Sequence, residues 1–540
     1  MNRMENRKRQ IRILNCILGM IGLLLLGRQI MPEGIACFAV IAEIHLFLSA
    51  LLTECIPDYT AKLIRGRVSK AQYKNAKQVF SAACLYSVAV GLFGSLFLFI
   101  FAGRLASGLG MEEAALGMRI LAPAFFCNAF AGGIMGYFQG MGTATPTVVS
   151  GVLKQIFGVT FSLLFGYILY GYGQRAAVLL HKESVAYMYG AAGAACGFLI
   201  AALLSLFFLL LIYMGGSKAM KRRRQEGMRL TENKNELLRQ LVLGMLPLAG
   251  LCALNRIPVL LGQLLYHRFR QDNISAYGSY YGGYLTVMGI VTALALLFSS
   301  GVEYTLLRSY KREEYKNANN QLTGGVLSIV LSAGFFSVLC LCMAPQLMSL
   351  WQASDTVAAG CLQKGFLMPV FLALGIFFGR VLNGMGKNRV VLLNVLLAAV
   401  CYVLTAILFG SMGGIMEAEE HTVSMGAADM LVFAQLVFAA VYCVANGIVL
   451  FKTMQFMPEW IRMIILPIAA LGVTGLCVFL ICRAFADTLG AAMVVLVGLA
   501  AGAICYPVLL FVLRCIRKED LPYLPGSRIL YKIGELLHLF

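Results

Sequence analysis

Few residues of this chain are placed to do chemistry, and those that are carry charge inside long apolar runs. Lys154, followed by Gln155, lies about 12 Å into one hydrophobic segment, and Arg256, preceded by Asn255, about 22 Å into another, at a helical rise of about 1.5 Å per residue. Neither side chain is long enough to reach the headgroups, so each needs a watery cavity or a partner. Arg28 stands toward the outer end of the first apolar run. Glu43 stands near the middle of the second, with Glu54 on the same helical face and His45 roughly opposite. The deep charges are mainly positive, and a cavity that they line would favour an anionic ligand. Two readings of Glu43 stand open. It neutralises Arg28, or it serves as a coupling-ion site or a gate. Arg119, Lys364 and Arg380 lie near the ends of apolar runs, from which basic side chains extend to the surface.

Covalent catalysis has no visible counterpart. There is no GxSxG, HExxH, P-loop or dinucleotide fingerprint, and no soluble domain large enough to hydrolyse a nucleotide. The chain reads as no enzyme, with no catalytic residue and no cofactor. All but the last of the 16 cysteines lie in or at the ends of apolar runs, with no CxxC and no histidine at ligand spacing. They read as small core residues, and neither disulfides nor a metal is inferred. Tyr277, Tyr280, Tyr281 and Tyr284 cluster at the outer end of a hydrophobic run, where an aromatic belt at the headgroups is expected and sugar stacking is the sharper alternative. Glu417, Glu419, Glu420 and His421 read as a solvated outer loop.

The elements that hold these residues must be membrane helices. A chain of 540 residues that is 60% hydrophobic and 13% charged cannot hide its apolar surface in one soluble core. Hydrophobic stretches of spanning length predict about fourteen helices in an all-α integral membrane protein. The net charge of +19 suggests nucleic acid until its distribution is read. With the N-terminus inside, cytoplasmic segments hold 32 of the 44 Lys and Arg and outer loops only six, so the basic excess sets topology and no nucleic-acid partner is implied. Both termini are then cytoplasmic. The first helix has no small-residue cleavage site after it and is expected to be retained as an anchor.

The stretch from Leu121 to Tyr170 reads as two membrane helices joined by a tight turn at Gly140-Met141-Gly142. Pro123 lies near the start of the first, Gly132, Gly133 and Gly136 form a small-residue face, and Pro146 opens the second. A near copy runs from Phe366 to Gly410, with Gly384 standing 244 residues after Gly140. Tyr73-Lys74-Asn75-Ala76 returns as Tyr315-Lys316-Asn317-Ala318, and Asp58-Tyr59-Thr60 as Glu303-Tyr304-Thr305. Matches in the same order at nearly one offset mark an internal duplication. Each repeat holds six helices, so the two lobes are parallel-related around a central cavity. The expected organisation is a six-helix lobe over 1–214, a basic linker over 215–240 with the run Lys221-Arg222-Arg223-Arg224, a second lobe over 241–453, two further helices over 454–513, and a cytoplasmic amphipathic tail over 514–540.

The stretch from Ile120 to Val159, with its proline, GYFQG and PT-x-x-S-x-x-x-x-Q pattern, resembles the polysaccharide biosynthesis proteins that include stage V sporulation protein B. The segment LLGRQIMPEGIACFAVIAEI resembles that family's first-to-second helix junction, with Arg28 at its arginine. These belong to the multidrug, oligosaccharidyl-lipid and polysaccharide exporter superfamily, which also holds the lipid II flippases. The resemblance implies an alternating-access flippase in the bacterial cytoplasmic membrane, acting on an undecaprenyl-pyrophosphate-linked sugar or peptidoglycan precursor in cell-wall or spore formation. Its partners would be that anionic lipid-linked sugar, membrane lipids and a coupling ion, and a monomer is expected. On that reading Arg28, Lys154, Gln155, Asn255 and Arg256 line the substrate cavity, and Glu43 serves coupling or gating. The alternatives are a cation-coupled multidrug extruder, which wants an acidic cavity, and a membrane-embedded glycan transferase or ligase, which wants a catalytic pair and a sizeable outer domain.

Overall fold

The computed structural model describes residues 2–225, 233–254, 256–269, 273–352, 356–416, 428–456, 459–485, 490–513 and 515. Among these every regular element is a helix, as the composition predicts. In order they are α1 (Asn2–Leu52), α2 (Ile56–Val68), α3 (Tyr73–Gly108), α4 (Ala114–Gly140), α5 (Thr145–Leu180), α6 (Ser184–Gln225), α7 (Lys234–Leu254), α8 (Ile257–Phe269) and α9 (Ile274–Gly278). A π-helical turn, Ser279–Leu285, leads into α10 (Thr286–Lys311), followed by α11 (Tyr315–Cys342), α12 (Ala344–Trp351), α13 (Thr356–Lys364), α14 (Met368–Gly384), α15 (Asn388–Met416) and α16 (Asp429–Met454). A second π turn, Ile461–Ile465, precedes α17 (Leu466–Phe485) and α18 (Ala491–Val512). By contacts the chain divides into two compact units, one of Ile21–Gly278 and one of Met1–Met20 with Ser279–Phe540.

The protein is a multi-pass membrane protein. Among the described residues, 11 helices are long and apolar enough to cross a bilayer, or 12 if α13 and α14, bent by 57°, form one span. The sequence expectation of about fourteen is not reached by this measure, and the difference lies where helices break. Residues from Gln10 to Val68 count once, although α1 is interrupted at Met31, whose φ of 65° and ψ of 166° lie outside the helical region. Pro32 follows directly. Its ring disfavours a helical residue before it and removes an N–H, so the break sits where the sequence puts the proline. Neither α7 nor α8 is among these spans, and α8 has only 13 residues. The acidic loop residues Glu417, Glu419, Glu420 and His421 and the tail over 516–540 lie outside the described residues.

The duplication is visible in the backbone of its turns. After α4 the amides of Met141 and Thr143 donate to the carbonyls of Tyr137 and Phe138, and after α14 those of Met385 and Lys387 donate to Val381 and Leu382. Gly142 (φ 88°) and Gly386 (φ 85°) occupy matching left-handed positions, which glycine adopts without a Cβ clash. The α2–α3 and α10–α11 turns repeat as well. Ala71 (φ 56°) and Glu313 (φ 62°) are both left-handed. The amide after each, Gln72 and Glu314, reaches back to Arg67 and Ser309.

Small residues then let the helices close. The expected glycine face of α4 packs against α2: a Cβ built on Gly136 would lie 2.7 Å from Thr60 Cβ and 2.8 Å from the Pro57 carbonyl oxygen. One on Gly140 would lie 2.6 Å from Ile64 Cβ. Contacts this close need glycine, and they supply the dispersion that replaces the hydrophobic drive in lipid. Polar side chains cross between helices in both units. Ser162 Oγ on α5 donates to the Ala194 carbonyl on α6 at 2.9 Å. Asn394 Nδ2 on α15 donates to Asn446 Oδ1 on α16 at 2.9 Å, and Asn446 Nδ2 to the Gly375 carbonyl of α14 at 3.4 Å. The two C-terminal helices pack on α11 through Leu327, Leu331, Leu471 and Tyr506, whose hydroxyl donates to the Leu331 carbonyl at 3.2 Å.

Gly136→Val is expected to push α4 off α2 and to cost about 1–3 kcal/mol, the usual range for overpacking. Its melting temperature in detergent should fall, whereas Gly171→Ala, a change with nothing within 4 Å, should leave it in place. Equal melting temperatures for the two would contradict the packing described.

Candidate functional site

The site builds up from α5. Pro146 lies in its first turn, as expected, and costs no intrahelical bond there. Lys154 follows more than two turns later, half-buried. Its ammonium donates to Asn128 Oδ1 on α4 at 2.7 Å, so the deep lysine is held by a neutral amide. The stretch of α1 beyond the Met31 break brings His45 to the same region. Its ring meets Phe125 of α4 edge-on, with centroids 5.5 Å apart, and it lies within electrostatic reach of Lys154. The Nδ1 of His45 is buried with no hydrogen-bond partner among the described residues. Three helices thus place an imidazole, a carboxamide and an ammonium together inside an apolar unit.

The other sequence candidates fall around this cluster. Glu43, on the same half of α1, is 5% exposed. Gln155 adjoins Lys154 and is half-buried, whereas Arg28 is exposed, one turn before the Met31 break. Arg256 sits at the break between α7 and α8. Its amide donates to the Ala253 carbonyl and its own carbonyl accepts from Leu260, so it ends one helix and starts the next. It acts electrostatically on Cys252, whose Sγ stands 3.9 Å from Cys55 Sγ near the start of α2. Asn255 lies outside the described residues. Lys154 and Arg256 belong to the same compact unit, so a ligand that both touched would be held within one unit.

Three features escaped the sequence. Asn128 is a lone polar residue in the run FFCNAFAGG, and its register with Lys154 becomes visible only once α4 and α5 pack. Lys364, read as a charge near the end of an apolar run, forms an ion pair with Asp429, whose side chain is 5% exposed. The tyrosine expectation is corrected. Tyr277, Tyr280, Tyr281 and Tyr284 are 1%, 3%, 7% and 0% exposed, so they do not form a headgroup belt. The π turn carries Tyr280, Tyr281 and Tyr284, and Tyr277 stands just before it in α9; the Tyr284 hydroxyl donates to the Gly365 carbonyl at 3.4 Å. Among the described residues no group of three or more His, Cys, Asp or Glu is arranged to hold a metal ion.

The sequence model of the family described as polysaccharide biosynthesis protein matches residues 11–284, just over half of the chain. The protein belongs to the polysaccharide biosynthesis protein family. No curated protein matches the sequence. Among solved structures, the fold is similar to the lipid II flippase MurJ in its inward closed conformation, with a TM-score of 0.62 and 12% identity, covering 93% of this chain and 97% of that one. It is similar also to an inward-facing multidrug resistance MATE family transporter of the MOP superfamily, with a TM-score of 0.53, 15% identity and coverage of 83% and 95%. A third similar structure is a MOP superfamily transporter from Pyrococcus furiosus described as having a binding pocket of reverse polarity, with a TM-score of 0.54, 15% identity and coverage of 84% and 97%. This member of the polysaccharide biosynthesis family therefore has the fold of MOP superfamily transporters.

Asn128→Leu is expected to lower thermal stability, because it removes the lysine's acceptor and leaves an ammonium in an apolar unit. Adding Lys154→Met should recover much of the loss, giving a coupling of about 1–3 kcal/mol between neighbours that share one bond. Additive effects on the melting temperature would show that the bond contributes nothing.

Proposed function

We propose that the protein is a flippase, and not an enzyme, that carries an anionic sugar precursor linked to undecaprenyl pyrophosphate across the bacterial cytoplasmic membrane. The observation that carries this reading is the state of Lys154. Among the described residues its ammonium has a neutral amide as its hydrogen-bond partner and no carboxylate in an ion pair, so its charge is left to act on a ligand. Arg256, at a helix break in the same unit, adds a second cation with planar donors suited to phosphate oxygens. Family membership supports a glycan-related cargo, and the transporter fold supports movement of that cargo rather than its synthesis.

In this reading Lys154, Gln155, Arg256 and Asn255 meet the pyrophosphate, Arg28 guides it from its exposed position, and Glu43 takes part in coupling or gating. The cargo crosses by alternating access of its site to the two sides, with both termini cytoplasmic. A multidrug extruder of the same fold would need a negative cavity to hold cationic drugs. The uncompensated lysine argues against that cargo.

The test is transfer of a fluorescent polyprenyl-pyrophosphate sugar across reconstituted vesicles. Arg256→Ala is expected to slow transfer by about ten- to hundredfold, the loss that follows when a charged hydrogen bond of about 1.5–3 kcal/mol is removed. Arg256→Lys should fall between, since a point charge does not replace a planar fork. Lys154→Met paired with Asn128→Leu should also slow transfer while keeping the fold. Full transfer in all these variants, or faster transfer of a cationic dye than of the lipid, would overturn the reading.

A further inference from the structure

Beyond Arg256, α8 carries a second polar face. Gln263 is fully buried, and neither its Nε2 nor its Oε1 has a hydrogen-bond partner among the described residues. One turn on, His267 is 5% exposed and its Nε2 is likewise without a partner. Tyrosine rings stand beside them. Tyr266 and Tyr277 have centroids 5.3 Å apart, and Tyr277 lies 6.2 Å from the His267 ring. The turn after α3 closes the other side. Gly110, left-handed at φ 72°, comes so near that an added Cβ would stand 2.8 Å from His267 Nδ1.

Buried polar atoms are normally paired, and each one left unpaired penalises the conformation that buries it. Three such atoms on one helix face mark a surface made for a conformation in which α8 has moved. The helix is built to move: it starts after the break at Arg256, and Pro258 in its first turn removes a tie to the preceding helix. Helical geometry adds a direction. Gln263 and His267 follow Arg256 by seven and eleven residues, which puts all three within roughly 20° of one line, at about 10 and 16 Å from the arginine.

We propose that the Gln263–His267 face of α8 reads the sugar of the lipid-linked substrate when α8 lifts from the Gly110 turn, while Arg256 holds the pyrophosphate. This rests on the anionic lipid-linked cargo proposed above. A carboxamide and a neutral imidazole each offer a donor and an acceptor to neighbouring hydroxyls. The tyrosine rings beside them offer faces for a pyranose. A hydroxyl-rich head group is the one ligand that uses all of these at once.

The experiment compares thermal stabilisation of the purified full chain by undecaprenyl pyrophosphate and by undecaprenyl-pyrophosphoryl N-acetylglucosamine. The wild type is expected to gain more from the sugar-bearing lipid. Gln263→Leu and His267→Leu should keep the shift given by the bare lipid and lose the extra shift given by the sugar. Without lipid they should melt no lower than the wild type, because an unpaired polar group has been replaced by an apolar one. If Gln263→Leu does not fold, the less branched Gln263→Met carries the same comparison. A sugar-dependent shift retained in the variants would overturn the proposal, as would its absence from the wild type. Variants that melt lower without lipid yet keep the sugar shift would show that ordered water satisfies these atoms, and a structural role only. If the bare lipid fails to stabilise even the wild type, the anionic-cargo reading fails first and takes this proposal with it.

Discussion

An ammonium inside an apolar helical unit has to be solvated by the protein itself, and much of the unit Ile21–Gly278 is arranged around that requirement. Lys154 finds Asn128 Oδ1 at 2.7 Å only if α4 and α5 pack at one register. The turn at Gly142 sets where α5 starts, and the Pro146 position lets it start without losing a bond. The glycines of α4 bring that helix close to α2. Past its break at Met31, α1 adds His45 and Glu43. A non-glycine residue at φ 65° costs of order 1–3 kcal/mol, so the surroundings must hold the break in place.

The two repeats share a scaffold but not this charge. Their turns use the same backbone hydrogen bonds 242 to 244 residues apart, down to the left-handed glycines at 142 and 386. At the same offset, Lys154 becomes Ala398 and Asn128 becomes Leu372. Ala398 is fully buried. The second unit instead ties α14, α15 and α16 with the neutral pair Asn394 and Asn446, and ties α13 to α16 with Lys364 and Asp429. Duplication conserves the turns, whereas Gly132, Gly133 and Gly136 of α4 become Ile376, Phe377 and Arg380. The residues between the turns are free to diverge, and the lysine–asparagine bond is present in one repeat and not at the matching positions of the other.

Much of this was legible from the residues. Hydropathy sets helix length, proline and glycine set the ends, and the repeats of Gly140 and Gly384 and of Tyr73 and Tyr315 set the order. The depth of Lys154 and Arg256 marked them as costly and therefore informative. What stayed hidden depends on which faces meet. Asn128 was one polar residue among many until α4 and α5 fixed its neighbour. The four tyrosines had the composition of a headgroup belt, but all four are buried, three of them on a π turn, which periodicity does not report. Breaks at Met31 and between α7 and α8 blur a count based on continuous apolar runs. The unpaired atoms of Gln263 and His267 are visible only when burial is known.

On the proposed function, the Lys154 ammonium, held by a neutral amide, selects an anionic, sugar-bearing lipid. Native mass spectrometry of the wild-type protein, released from membranes under mild conditions, tests it without assuming a cargo. The account predicts bound masses that match a polyprenyl pyrophosphate carrying one or more sugars and that persist at collision energies that strip bulk phospholipid. Retention of zwitterionic phospholipid alone, or of cationic amphiphiles in preference to anionic lipid, would contradict it.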